Sequence, residues 1–114
     1  ELKVIDFGSN RIGQIDAAAF TGLQNLETLR LNQNGLSTMP PVQGLAQLRT
    51  LDLRYNKISS IPADAFQGLA QLQSLELSSN RISSIATDGF QGLVQLETLN
   101  LGGNQISSIA TGTL

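Results

Sequence analysis

A leucine that returns every two dozen residues constrains this chain more than any other feature. Aligned on that residue, the sequence restarts at Leu2, Leu26, Leu48, Leu72 and Leu96, giving copies of 24, 22, 24 and 24 residues and a last one of 19. The copies read L-x-x-L-x-L-x-x-N-x-I/L-x-x-I/M, with Ile5 and Phe7 for the second and third leucines in the first, and the full-length ones continue to a phenylalanine (Phe20, Phe66, Phe90) and a Gly-Leu pair. A fixed period of this size specifies a solenoid, in which each copy packs on its neighbours and none folds alone. The copies run 2–25, 26–47, 48–71, 72–95 and 96–114, the last incomplete, within a single domain covering 1–114.

The leucine spacing also fixes the local structure. The L-x-L step (Leu29/Leu31, Leu51/Leu53, Leu75/Leu77, Leu99/Leu101) alternates with period two, the mark of a strand, and leucines spaced three and then two apart make no helical stripe. One short strand is expected at the third to fifth positions of each copy. Crossovers that all run in one direction make successive strands parallel, about 4.8 Å apart. Returns of some fifteen residues are bulkier than strands, so the stack curves with its strands inside.

This pattern resembles the leucine-rich repeat in its typical 24-residue form, as found in the ectodomains of Toll-like receptors, small leucine-rich proteoglycans and variable lymphocyte receptors. The resemblance covers essentially the whole chain. It implies an α/β-type repeat solenoid: a curved right-handed coil with a parallel β-sheet on the concave face, loops and short 3-10 turns on the convex face, and little true helix. It further implies a non-enzymatic protein-binding module at the cell surface or outside the cell. The family usually closes its ends with caps, often cysteine-containing, and this chain has no cysteine. Excision from a longer solenoid, assembly from consensus-like copies, and ends that meet a partner all fit that departure.

Composition narrows the chemistry. With no cysteine and no histidine, thiol nucleophiles, disulfides, Ser-His-Asp triads and His/Cys zinc sites are excluded. No catalytic residue, cofactor or metal is expected. A formal net charge of −2 argues against a nucleic-acid partner, which needs a basic stripe to displace counterions from phosphate. No apolar run reaches the ~18 residues of a membrane helix. Charge is uneven: all seven basic residues fall in the first ten positions of their copies, whereas Asp16, Asp64 and Asp88 lie on the return side. Solvated faces are the simplest account of that split.

Within each copy, the asparagine at position nine (Asn10, Asn34, Asn56, Asn80, Asn104) stands between buried leucines. A buried amide has to be hydrogen-bonded, so these side chains are expected to form a structural ladder to backbone groups left free where the strand turns away. Phe20, Val42, Phe66 and Phe90 form one column of the convex core, and Gly22, Gly44, Gly68 and Gly92 mark the turn back to the next strand. Ser59-Ser60, Ser83-Ser84 and Ser107-Ser108 read as solvated spacers. The second copy departs from the pattern, with Gly35 after Asn34 and Pro40-Pro41 on a shortened return.

The positions left free by the leucines carry any recognition. On the central copies these include Arg30, Asp52, Arg54, Tyr55 and Glu76, which contain the chain's one tyrosine and two of its arginines, residue types enriched at binding hot spots. They are the expected ligand-binding residues of the concave face. Arg30 pairing with Asp52 on the neighbouring strand is the purely structural alternative. Asp52 and Glu76 share a column as well, but no deep pocket, calcium-loop motif or third ligand accompanies them. Two functions remain in play: a module that binds a protein ligand on its concave face, and a structural or self-assembling fragment that oligomerises through its ends.

Overall fold

In a computed structural model of the chain, residues 2–107 and 109 are described. Five strands form one parallel sheet: β1 (Val4–Asp6), β2 (Thr28–Arg30), β3 (Thr50–Asp52), β5 (Ser74–Glu76) and β7 (Thr98–Asn100), in the order β1-β2-β3-β5-β7. Each occupies the third to fifth positions of its copy, as the L-x-L step requires. The register keeps like positions opposite one another, for example Leu29 with Leu51 and Leu51 with Leu75. These middle residues point inward and are fully buried in the three central copies. They join Leu26, Leu31, Leu48, Leu53, Leu72 and Leu77 in one continuous core. Ile5 and Leu99, in the outer strands, are only partly covered.

Across the core from this sheet, the convex side is built from turns. As expected, these are loops and short turns with no helix among the described residues, and the hydrogen bonding shows why. Bonds between residues three apart recur at Ala19 to Asp16, Thr21 to Ala18 and Leu23 to Phe20, skipping every other amide. Isolated turns result, where consecutive bonds of this type would make a helix. The Gly-Leu pair marks the way back: Gly22, Gly44, Gly68 and Gly92 all adopt φ between 84° and 89°, a region that costs a residue with a Cβ. Phe66 and Phe90 stack with ring centroids 5.8 Å apart and planes 7° from parallel. Val42 fills the same column in the shortened second copy and is completely buried.

A second sheet was not legible in the sequence. β4 (Ser60–Ile61) and β6 (Ser84–Ile85) pair in parallel on the outgoing limb of the third and fourth copies. The serines are exposed, as expected of spacers, but their backbone is part of a ladder that continues from Ser83 N–H to Ser59 C=O and from Ala86 N–H to Ile61 C=O. The expected place of Ser108 among the spacers lies outside the described residues.

The asparagine ladder joins the turns. Past position five the chain leaves the sheet, and the carbonyl of position six and the amide of position eleven are left without backbone partners. Asn56 Nδ2 donates to Leu53 and Leu31, each at 3.0 Å, and to Arg54 at 3.3 Å, while its Oδ1 accepts from the amides of Asn34 (3.0 Å) and Leu36 (3.1 Å). Asn80 and Asn104 repeat the arrangement one and two copies on, taking the amides of Ile58 and Ile82. Asn34, Asn56 and Asn80 are buried; Asn10, in the first copy, is exposed and bonds only within its own turn, to Phe7 and Gly8. Replacing Asn56 by Leu is expected to cost about 2–3 kcal/mol, because several buried backbone groups lose their partner at once. Asn10→Leu should change stability by less than about 0.5 kcal/mol. Chemical denaturation of the two variants checks the contrast, and equal losses would show that burial of the amide is not what matters.

Candidate functional site on the concave face

Every strand of the five-stranded sheet ends at position five, and the chain turns through positions six to nine by the same route in each copy. In the first four copies the amide of position eight crosses to the next copy: Ser9 to Asn32, Gln33 to Arg54, Tyr55 to Ser78 and Ser79 to Gly102, at 2.8–3.1 Å. The chain turns away there through a left-handed backbone at position eight in all five copies. Ser9, Gln33, Tyr55, Ser79 and Gly103 have φ of 61°, 57°, 59°, 58° and 69°. The side chains of this column vary from copy to copy; its backbone does not. A single glycine among the five residues, Gly103, was too little signal to reveal it.

Of the five expected binding residues, the structure gathers Asp52, Arg54 and Glu76 around one point. Asp52 ends β3 with only 5% of its surface exposed. Its carboxylate accepts from Arg54 Nε at 2.9 Å, from Arg54 Nη2 at 2.8 Å and from the Arg54 amide at 3.1 Å. The fork geometry makes this a strong charge-assisted pair and satisfies an otherwise costly buried carboxylate. Hydrogen bonding and charge from Asp52 raise the pKa of Arg54 above its already high ordinary value, and Glu76 adds to the effect through its charge. Glu76 lies opposite Asp52 in the register.

Arg30 also lies opposite Asp52, yet the pairing entertained for it is not made. Asp52 turns along its own chain to Arg54, because a partner two residues away on the same turn leaves both nitrogens in reach. Among the described residues Arg30 forms no ion pair, and its side chain is exposed. Tyr55 projects from the turn beyond the strand ends with 56% of its surface exposed. The same turn explains a cap that the sequence contained without announcing: Asp6, Asp52 and Asn100 each accept from the amide two residues on, in alternate copies. An Asp or Asn at position five followed two residues later by Gly or Arg was the available signal.

These contacts bear on what the face can do. A cation bridging Asp52 and Glu76 would have to displace the Arg54 guanidinium, and among the described residues no three acidic side chains gather where a metal could sit. No helix among them is long and apolar enough to cross a membrane.

Comparison with known proteins bears on the fold as a whole. The chain has no match among curated proteins. Among solved structures it superposes on a chain of a TLR13–ssRNA13 complex with a TM-score of 0.86 and 30% identity over 96% of its length. It is similarly close to a chain of the octameric complex of Latrophilin 3, Unc5D and the FLRT2 leucine-rich repeat domain, with a TM-score of 0.85 and 33% identity over 97% of its length. A Leptospira interrogans leucine-rich repeat protein matches with a TM-score of 0.85 and 26% identity over 96%. The chain spans only 16%, 35% and 28% of these three chains. The family model described as leucine rich repeat matches residues 1–58 and 46–106. With that match spanning nearly the whole sequence, and with the parallel sheet and asparagine ladder that the repeat encodes, the chain belongs to the leucine-rich repeat family.

Proposed function

We propose that this chain is a non-enzymatic recognition module that meets a protein ligand with its concave face, through Tyr55 and Arg30 flanking the Asp52–Arg54–Glu76 cluster. The observation that carries the reading is Tyr55. A bulky side chain in the left-handed region costs about 1–2 kcal/mol, and an exposed ring recovers little of that by packing. An aromatic kept at such a position fits a contact with a partner better than a contribution to the fold. Arg30, exposed and without an ion pair among the described residues, supplies the cation beside it.

Assembly with protein partners in the FLRT2-containing complex supports the class of ligand. The TLR13 complex contains single-stranded RNA, so charge alone argues against that alternative here. Position five carries Asp6, Asp52 and Glu76 against Arg30, a poor surface for phosphate. An extracellular or cell-surface setting belongs to the same proposal and rests on the family.

A second reading is self-association through the end faces. It is favoured by an open apolar depression of about 430 Å³ beside β1, lined by Ile5, Phe7, Ile12, Ile15, Phe20 and Leu23 among others, with Phe7 itself exposed.

Three expected outcomes test these readings. Tyr55→Asn should raise stability to denaturant by about 0.5–1 kcal/mol, since asparagine tolerates the left-handed region; a loss would mean that the ring packs. Against a partner selected with the unmodified chain from a panel of purified ectodomains, Tyr55→Ala and Arg30→Glu should each weaken binding by about 2 kcal/mol or more, while Arg81→Ala on the flank should not. Equal affinity for all three variants would defeat the concave-face reading. Arg54→Glu is unsuited to this test, because it sets a second carboxylate against buried Asp52. Light scattering after size exclusion decides the second reading: a monomer near 12.1 kDa at every concentration rules it out.

A further inference from the structure

The second copy differs from the others at a chemically specific point. Among the five ladder asparagines, only Asn34 is followed by glycine; Arg11, Lys57, Arg81 and Gln105 follow the rest. An asparagine side chain is open to attack at Cγ by the backbone nitrogen of the next residue, and a glycine there offers no side chain to hinder approach. Attack also requires that nitrogen to give up its proton.

In the third, fourth and fifth copies the corresponding N–H is held by the preceding copy: Lys57 donates to Leu36 C=O at 2.7 Å, Arg81 to Ile58 at 2.9 Å and Gln105 to Ile82 at 3.0 Å. The matching bond from Gly35 N–H to Ile12 C=O is missing, and among the described residues Gly35 N–H has no acceptor. On its Oδ1 side the electrophile is held more loosely too. Asn34 Oδ1 accepts one amide, that of Ile12, at 3.3 Å, the longest such contact in the ladder; Asn56 Oδ1 accepts two, at 3.0 and 3.1 Å.

From this conjunction we propose that Asn34 is a site of spontaneous deamidation through a succinimide, and that its conversion to a carboxylate uncouples the first copy from the rest of the solenoid. Gly35 N loses its proton to hydroxide and bonds to Asn34 Cγ. The Cγ–Nδ2 bond breaks, and ammonia leaves after taking a proton from water. Water then opens the ring at either carbonyl, giving an aspartyl or an isoaspartyl residue.

The consequence follows from what Nδ2 touches. It donates to Phe7 C=O at 2.9 Å and to Asn32 C=O at 3.2 Å, and Asn34 is 3% exposed. A carboxylate oxygen in its place faces two carbonyl oxygens, as an unpaired charge out of contact with water. The isoaspartyl form also adds a methylene to the backbone of the turn. Either product breaks the side-chain tie between Phe7 and the second copy.

The test incubates the folded 114-residue chain in mildly alkaline buffer and follows all five ladder asparagines by peptide mapping and mass spectrometry. Asn34 should gain one mass unit first, with the other four intact when half of it has converted. Gly35→Ala should abolish the conversion over the same period; equal conversion in that variant would remove Gly35 from the reaction. Because Gly35 sits at φ 75°, alanine there strains the turn, so Asn34→Asp is made separately as a mimic of the product. In that variant, hydrogen exchange protection should be lost at Phe7 and Ser9 and kept in β3 and β5. Conversion of Asn10 or Asn104 ahead of Asn34 would overturn the assignment of the site. So would an intact Asn34 under conditions that convert a peptide of the same sequence. Unchanged protection in Asn34→Asp would overturn the uncoupling.

Discussion

Everything in this fold hangs on how a strand is allowed to end. Three residues of parallel ladder satisfy their own backbone, but the chain must then turn out of the sheet and travel round the core, leaving polar groups beside buried leucines. An amide side chain is the smallest group that offers two donors and an acceptor at once, and position nine holds it at one height in every copy. Asn56 alone serves five backbone groups in two copies. The ladder therefore ties adjacent copies by side chain as well as by strand, and fixes the height at which each turn stacks on the next. The left-handed residue at position eight belongs to the same turn, and in the first four copies its amide reaches the next copy.

A scaffold this regular leaves little freedom to the surface that recognises anything. Positions three, five, seven and eight face out, but two of these carry obligations of their own. Position five caps the turn in alternate copies, and in the third copy Asp52 is occupied by Arg54 from three directions. Position eight is conformationally taxed whatever its side chain. The side chains that satisfy no local need are fewer than the exposed ones, and among the five expected binding residues Tyr55 and Arg30 stand out on that test. Asp52 and Arg54 shape the ground between them, presenting a nearly neutral pair where separate charges would otherwise lie.

The strands were legible to the residue, because a period of two within a period of twenty-four leaves one placement in which all leucines face one side. The ladder was legible because polar residues that recur among leucines must be bonded. What escaped notice involved groups whose identity says little about backbone. Ser-Ser between two isoleucines reads as loop whether or not its main chain pairs, so β4 and β6 could not be seen. Ser, Gln and Tyr at position eight gave no sign of positive φ. Register set Arg30 opposite Asp52, but side-chain partners depend on reach as well as on register, and Arg54, two residues along the same turn, reached first.

The second copy shows how a repeat accommodates a deletion. Losing two residues from the return costs the aromatic ring at its column, and Val42 fills the space without restoring a stack like that of Phe66 on Phe90. The outgoing limb loses its pairing too: the bond that ties position ten to the preceding copy is present from the third copy onward and absent at Gly35. The first two copies are still joined by the β1–β2 pairing, the crossing amides of Phe7 and Ser9, the Ser9–Gln33 side-chain hydrogen bond, the Lys3–Glu27 ion pair and the contacts of Asn34. A solenoid has no long-range contacts to compensate for a weak joint, since each copy touches only its neighbours. On the outgoing side of that joint the hydrogen bonding across it comes from the Asn34 amide, with no backbone bond at Gly35 beside it, so a change in that amide acts where the apolar core alone remains to hold the two copies.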